Sequence, residues 1–418
     1  MSLKWNVLYN TFVQFVGRFA TSFLGFITTI ILARSLGAAG YGTYAKVYTL
    51  AAFFYLVIDF GLNAIYIRRF KEDLKHISMM NAIRTVFFIF SLAVIFVFFV
   101  VTQQHIFTSR EKWYTLLFVP TILLFGYYTS LNAIFQLKLR YDLSVLAAVL
   151  GGLVGVALMI ITLSWGLSFS ILSIVAGYAI TVFLSYLFAR KLTPFVFFSQ
   201  PFSLYDMISF LKDAAPIGFM LFFNTMYVRA DVFVLSAFKT NAEVGIYQLG
   251  YKFFEFPLAF ATFFANATFP HFVKKFDENK KSFWKNFYQS TFFLLGMSVL
   301  FSIVGYFGAP LLSFIRNDYS ASVLPLQVMA WSYPIFFLTS ALNWLLFIEK
   351  RERSLVWIYA FSFVANVLAN WYFIPRYSYM ASAWITVIGE MGVLVLILGV
   401  LIRKQITNHK SQIPSKLQ

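Results

Sequence analysis

Six ionisable residues stand in stretches otherwise too apolar to carry them: Arg18, Asp59, Arg229, Asp231, Glu255 and Glu390. At membrane depth each costs ~2.5–3.5 kcal/mol on insertion scales, so each needs a partner or a task. An arginine there either joins two helices as half of an ion pair or meets an anionic ligand in an internal cavity. A carboxylate buried without a cation tends to hold its proton, which suits a proton- or cation-coupling group; one facing a watery cavity needs no such role. Arg18 lies about seven residues into its apolar stretch and Asp59 about seven from the end of the next. At 1.5 Å per residue both are ~10 Å from the same boundary, so they can pair. Arg229 and Glu255 also share a depth, ~13 Å from the opposite boundary for Arg229, and form the second expected pair. Asp231, two residues after Arg229, projects to the other helix face and needs another partner or a cation. Glu390 sits near mid-depth with no partner in its own helix. Lys46 and Lys252 are close enough to helix ends to snorkel.

Other chemistries find no support. Cys is absent, which excludes disulfides, thiolate metal sites and cysteine nucleophiles. His76, His105, His271 and His409 lack ligand spacing, so no metal is expected. The glycines from Gly37 to Gly42 lack a Gly-Lys-Ser/Thr ending and a preceding strand, so they are no phosphate loop; small residues there turn the chain at the membrane surface. No catalytic residue and no cofactor is expected, and the chain does not read as an enzyme.

The elements that must position the six charges are membrane helices. Of 418 residues 60% are hydrophobic and 12% charged, with 54 Phe and a mean hydropathy of +0.77. A water-facing surface needs about twice that charge. Windows of ~19 apolar residues give twelve spans, at 11–33, 43–66, 79–102, 113–136, 143–164, 167–189, 214–238, 246–271, 286–308, 323–348, 354–374 and 380–402. The first is too long for a cleavable signal peptide and carries Arg18. Pro216, Pro257, Pro325 and Pro334 fall inside spans and should bend them. With the N-terminus in the cytoplasm, 23 of the 33 Lys and Arg lie on the inner side, Arg84 counted among them, and six on the outer side. That bias places both termini inside and explains the net charge of +17 without nucleic acid. The fold expected is an all-α polytopic membrane protein.

The stretch from Arg190 to Asp213 contains Pro194 and Pro201, lies at mid-chain and reads as a linker, with a short amphipathic helix near 203–212 on the inner surface. A shift of 203 residues across it sets Leu32 on Leu235, Ala39 on Ala242, Gly42 on Gly245, Tyr44 on Tyr247, Tyr48 on Tyr251 and Asn63-Ala64 on Asn266-Ala267. A shift of 211 sets Leu131-Asn132 on Leu342-Asn343. These matches imply two six-helix bundles in the same orientation, related by a pseudo-twofold axis. The expected organisation is a bundle at 1–190, a cytoplasmic linker at 191–213, a second bundle at 214–402 and a cytoplasmic tail at 403–418.

The run Leu32-Ala33-Arg34-Ser35-Leu36-Gly37-Ala38-Ala39-Gly40-Tyr41-Gly42-Thr43-Tyr44, followed by Ile58-Asp59-Phe60-Gly61-Leu62-Asn63 and Arg68-Arg69, resembles the Wzx-type polysaccharide (O-antigen and capsule) flippases of the MOP exporter superfamily. The likeness extends over the whole chain in span number, 6+6 symmetry and basic inner loops. Lipid II flippases of that superfamily usually have fourteen spans, and its multidrug (MATE) exporters have twelve without this hairpin. The resemblance implies alternating access that moves a polyprenyl-diphosphate-linked oligosaccharide between leaflets. Its further partners would be membrane lipids and the polysaccharide polymerase and chain-length machinery, with the flippase itself a monomer. In that reading Arg18 and Arg229 meet the diphosphate, Asp59 holds Arg18 or takes protons, and Asp231, Glu255 or Glu390 couples the cycle to an ion. A multidrug or small-cation exporter would favour an acidic cavity. A polysaccharide polymerase would need a larger outer loop than the ~5–15 residues present.

Overall fold

A computed structural model describes residues 3–70, 74–102, 106–198 and 202–412. His105, linker residues 199–201, the tail from 413, and the side chains of Arg18, Asn266, His271 and His409 lie outside the described residues. Thirteen helices follow one another among the described residues, with no strand. They are α1 (Leu3–Asp59), α2 (Leu62–Phe70), α3 (Ile77–Thr102), α4 (Ser109–Phe118), α5 (Pro120–Leu137), α6 (Tyr141–Thr162) and α7 (Leu167–Leu192). After the mid-chain connection come α8 (Leu204–Phe238), α9 (Asn241–Glu278), α10 (Lys280–Gly308), α11 (Val323–Ala330), α12 (Tyr333–Ile348) and α13 (Glu352–Gln412). Eight described helical stretches are long and apolar enough to cross a membrane, nine if the pair bent by 50° ahead of Tyr333 is one span. Pro334, in the first turn of α12, sits at that bend, as a residue without an amide donor should. The protein is a multi-pass membrane protein.

Two of these stretches fold back on themselves. In α13 a straight course would separate Arg351 and Val400 by ~70 Å. The Arg351 guanidinium instead donates to the Val400 carbonyl at 3.0 Å. The reversal is at Ser378 (φ 53°), whose hydroxyl donates to Glu243 at 2.6 Å. In α1 the break is at Gly37 (φ 67°), a backbone region that favours glycine. The first half of α1 runs from Gly17, packed on Val145 near the start of α6, to Ala33; the second returns from Lys46 to Asp59 beside Arg84. Asp59, Arg68, Arg69, Lys75 and Arg351 mark what is called here the basic end of the bundle, and Gly37, Glu111, Asn241 and Ser378 the far end.

Only Gly37 makes the turn expected of the glycine cluster. Gly42 is helical and serves packing. A Cβ on Gly42 would lie 1.7 Å from the Asn241 carbonyl oxygen, and one on Gly245 2.0 Å from that of Ala38. A shift of 203 residues carries Gly42 to Gly245 and Ala38 to Asn241, so α1 and α9 cross through equivalent atoms of the two repeats. The pseudo-twofold axis passes through this crossing. The expected surface helix near 203–212 is the first part of α8, capped by Ser203 and continuous with the apolar stretch expected at 214–238.

Candidate functional site

Between the two halves, in the part of the bundle toward the far end, lies a cavity of about 590 Å³. Its two walls differ in chemistry. From the first half come Tyr41, Tyr44 and Tyr48 of α1, Tyr128 of α5 and Tyr178 of α7, with hydroxyls of Thr21, Thr28 and Thr181. From the second half come Arg229 of α8 and Gln248, Lys252 and Glu255 of α9. Among the described residues, every charged side chain on the lining belongs to the second half.

Those charges form one cluster. Arg229 Nη2 donates to Glu255 Oε1 at 2.7 Å, and Lys252 Nζ to Glu255 Oε2 at 3.0 Å. The Arg229–Glu255 pair expected from depth is present, and Lys252, expected to snorkel, joins it instead. Two cations share one carboxylate, leaving one net positive charge on the wall. Arg229 remains 16% exposed, so part of its guanidinium fork still faces the cavity.

Asp231 points the other way, as its spacing from Arg229 required. It is buried in the second half, accepts from the Tyr247 hydroxyl and from the Val232 amide at 2.8 Å, and stands off the cavity lining. Tyr247 also meets Thr386 Oγ1 at 3.4 Å. Glu390 is equally buried and accepts from Tyr227 Oη at 3.2 Å. Gly389 makes room for that ring: a Cβ there would touch the Tyr227 hydroxyl at 3.0 Å. Each carboxylate is thus held by a phenol from a neighbouring helix, with no ion pair formed by either among the described residues.

Asp59 belongs to a different cluster. Its partner is Arg84, at 3.3 Å, which also donates to Asn63 Oδ1 at 2.9 Å, to the Gly126 carbonyl at 2.6 Å and to Ser130 Oγ. Arg84 is fully buried. Its placement among the inner-loop cations is corrected here: α3 begins at Ile77, so Arg84 lies ~10 Å into the helix. Asp59 is not on the described cavity lining, and the side chain of Arg18 is outside the described residues. The knot around Arg84 ties α1, α2, α3 and α5 together.

Lys46 is also corrected. It is 5% exposed and buried at the far end, where its ammonium donates to Glu111 at 3.0 Å, to the Ile106 carbonyl at 2.7 Å and to Asn241 Oδ1 at 3.2 Å. The Asn241 amide donates in turn to Glu111 at 2.8 Å and to Thr43 Oγ1 at 3.0 Å. The sequence signal was the Thr108-x-x-Glu111 capping box that starts α4; both of its reciprocal bonds form and aim the carboxylate.

The family of polysaccharide biosynthesis proteins matches residues 7–276, more than half of the chain. The chain belongs to that family. The MatE family also matches, over residues 216–372. Among solved structures this family member is similar to the lipid II flippase MurJ in an inward closed conformation, with 14% identity, TM-score 0.77, and coverage of 92% of this chain and 86% of that one. It is also similar to a multidrug resistance MATE transporter of the MOP superfamily, inward-facing, with 11% identity, TM-score 0.78 and coverage of 94% and 96%. An outward-facing MATE transporter matches at 14% identity and TM-score 0.66, covering 97% and 96%. The two-lobed MOP-superfamily fold is therefore shared. No curated protein matches the sequence significantly.

Proposed function

We propose that the protein is a flippase carrying a polyprenyl-diphosphate-linked oligosaccharide from the inner to the outer leaflet of a bacterial cytoplasmic membrane. The observation that carries this reading is the cavity between the lobes, with one net positive charge on its second-half wall and neutral hydroxyls and rings elsewhere. A drug cation would be repelled by such a wall, whereas a diphosphate would be held by it. The lipid II flippase MurJ supports the reading through a shared fold. In this proposal the chain crosses the membrane twelve times, as six helices before the mid-chain connection and six after it, with both termini and the basic end in the cytoplasm. It works as a monomer and hands its cargo to polymerase and chain-length proteins.

Transport by alternating access requires the far end to part while the basic end closes. Arg229 is the proposed phosphate contact inside the cavity, and Arg18, three and four positions before the lining residues Thr21 and Ser22 in α1, the proposed contact as the diphosphate enters from the basic end. Asp59 contributes indirectly, by fixing Arg84. Glu255 is the weakest coupling candidate, because neutralising it would break two ion pairs at once. Asp231 and Glu390 are better placed: each is held by neutral donors and forms no ion pair among the described residues, so either can exchange a proton or a cation without stranding an opposite charge.

The test is purified protein in liposomes loaded with a fluorescent polyprenyl-diphosphate disaccharide, read by the fraction of label open to a membrane-impermeant quencher. The protein should equilibrate that label between leaflets, and Asp231→Asn with Glu390→Gln should slow it. No acceleration over empty liposomes, with export of a cationic dye instead, would replace the flippase by a drug exporter.

A further inference from the structure

The cavity walls are divided more sharply than transport of one charged headgroup requires. Tyr41, Tyr44 and Tyr48 form a stripe down one face of α1, with ring centroids 6.1 and 6.0 Å apart along it. The repeat equivalents of Tyr44 and Tyr48 are Tyr247 and Tyr251, and Tyr247 is committed to Asp231 inside its own lobe. Tyr44 and Tyr48 have no such commitment. Among the described residues neither hydroxyl has a hydrogen-bond partner, although Tyr44 is only 8% exposed. On the facing wall the Gln248 side-chain amide nitrogen is buried and also without a partner. Buried amides are nearly always paired, so an unpaired one at Gln248, facing two phenols that line the cavity without partners, points to an occupant rich in hydroxyls.

We infer that the two walls divide the substrate, the tyrosine stripe with Gln248 contacting the first sugars and the Arg229–Lys252–Glu255 cluster contacting the diphosphate. Aromatic faces pack against the apolar C–H faces of a sugar ring while the phenol and amide edges bond its hydroxyls, and neither needs charge. A diphosphate needs cations, which only the other wall supplies among the described residues. The substrate therefore lies across the cavity, with glycan toward the first half and phosphate toward the second. This rests on the flippase reading and adds an orientation and a means of selecting the glycan.

The experiment uses two probes, geranylgeranyl diphosphate and geranylgeranyl diphosphate carrying a disaccharide, with binding measured on the purified full chain. The unaltered protein should bind the glycosylated probe more tightly. Tyr44→Phe with Tyr48→Phe keeps both rings and should cost the glycosylated probe roughly tenfold while leaving the bare one within about twofold. Arg229→Gln should weaken both probes by a similar factor, and Lys252→Gln gives an independent check should that variant fold poorly. Equal loss for both probes in the tyrosine variant, or no loss for either, would overturn the division of the walls. If the unaltered protein bound neither probe, the flippase reading itself would fall. If it bound both equally, only the sugar site would.

Discussion

The lobes meet at two ends of the bundle, and the two meetings are built differently. At the far end α1 and α9 cross backbone to backbone at Gly42 and Gly245, and Lys46, Glu111 and Asn241 form a buried network across the crossing. Two further bonds cross there: Tyr319 Oη donates to the Ala33 carbonyl at 3.2 Å, and the Ala38 amide to Asp318 at 3.5 Å. At the basic end the link is mostly apolar, with Phe60 against Phe219 and Gly218, Gly61 against Ile217 and Phe70 against the buried Phe210, plus Arg69 on Asp213 at 2.9 Å and Ser209 at 3.0 Å. That ion pair is 33% and 53% exposed. Water takes over the partners of an exposed pair for little cost, whereas parting a buried network strands polar groups. The basic end therefore parts without stranding buried polar groups, whereas opening the far end strands them and needs an energy source such as the ion uptake proposed for Asp231 and Glu390.

The comparison can be broken in graded steps. The largest effect is expected from Gly42→Val, whose side chain collides with the Asn241 backbone carbonyl and cannot be relieved by a rotamer change. It should cost more than about 3 kcal/mol and abolish transport. Lys46→Met comes next. It leaves the buried Glu111 carboxylate without a cation and should destabilise the protein by about 3–5 kcal/mol, with much of this recovered in Lys46→Met/Glu111→Leu. Failure of the second substitution to restore stability would mean that the network is not a coupled unit. Arg69→Ala should be the mildest, below about 1 kcal/mol in detergent unfolding. A larger loss for Arg69→Ala than for Lys46→Met would reverse the assignment of strong and weak ends.

Much of this arrangement was legible in the residues. Helix spans show as apolar length, and the repeat shift of 203 already paired the two glycines that prove to be the crossing point. The Arg229–Glu255 pair followed from shared depth, and the opposite facing of Asp231 from a two-residue offset. What escaped had a common cause: the deciding partner is far away in sequence. Lys46 looks like a snorkelling residue until Glu111 and Asn241, 65 and 195 positions later, are brought to it. Arg84 looks like one more inner cation because a tally by side does not separate a loop residue from one two turns into a helix. The tyrosine stripe was hidden by abundance, since 21% of the chain is aromatic and most rings face lipid or core.

Alternation between the two ends is tested most directly by tying the far end shut. The chain has no cysteine, so Thr43→Cys with Asn241→Cys introduces a single reactive pair across the α1–α9 crossing, at side chains now 3.0 Å apart. In liposomes the reduced double variant should move the fluorescent lipid-linked disaccharide, and a short bifunctional thiol reagent should stop it, with each single-cysteine variant unaffected by the same reagent. Continued movement with the two residues cross-linked would contradict a transport cycle in which the lobes part at this end.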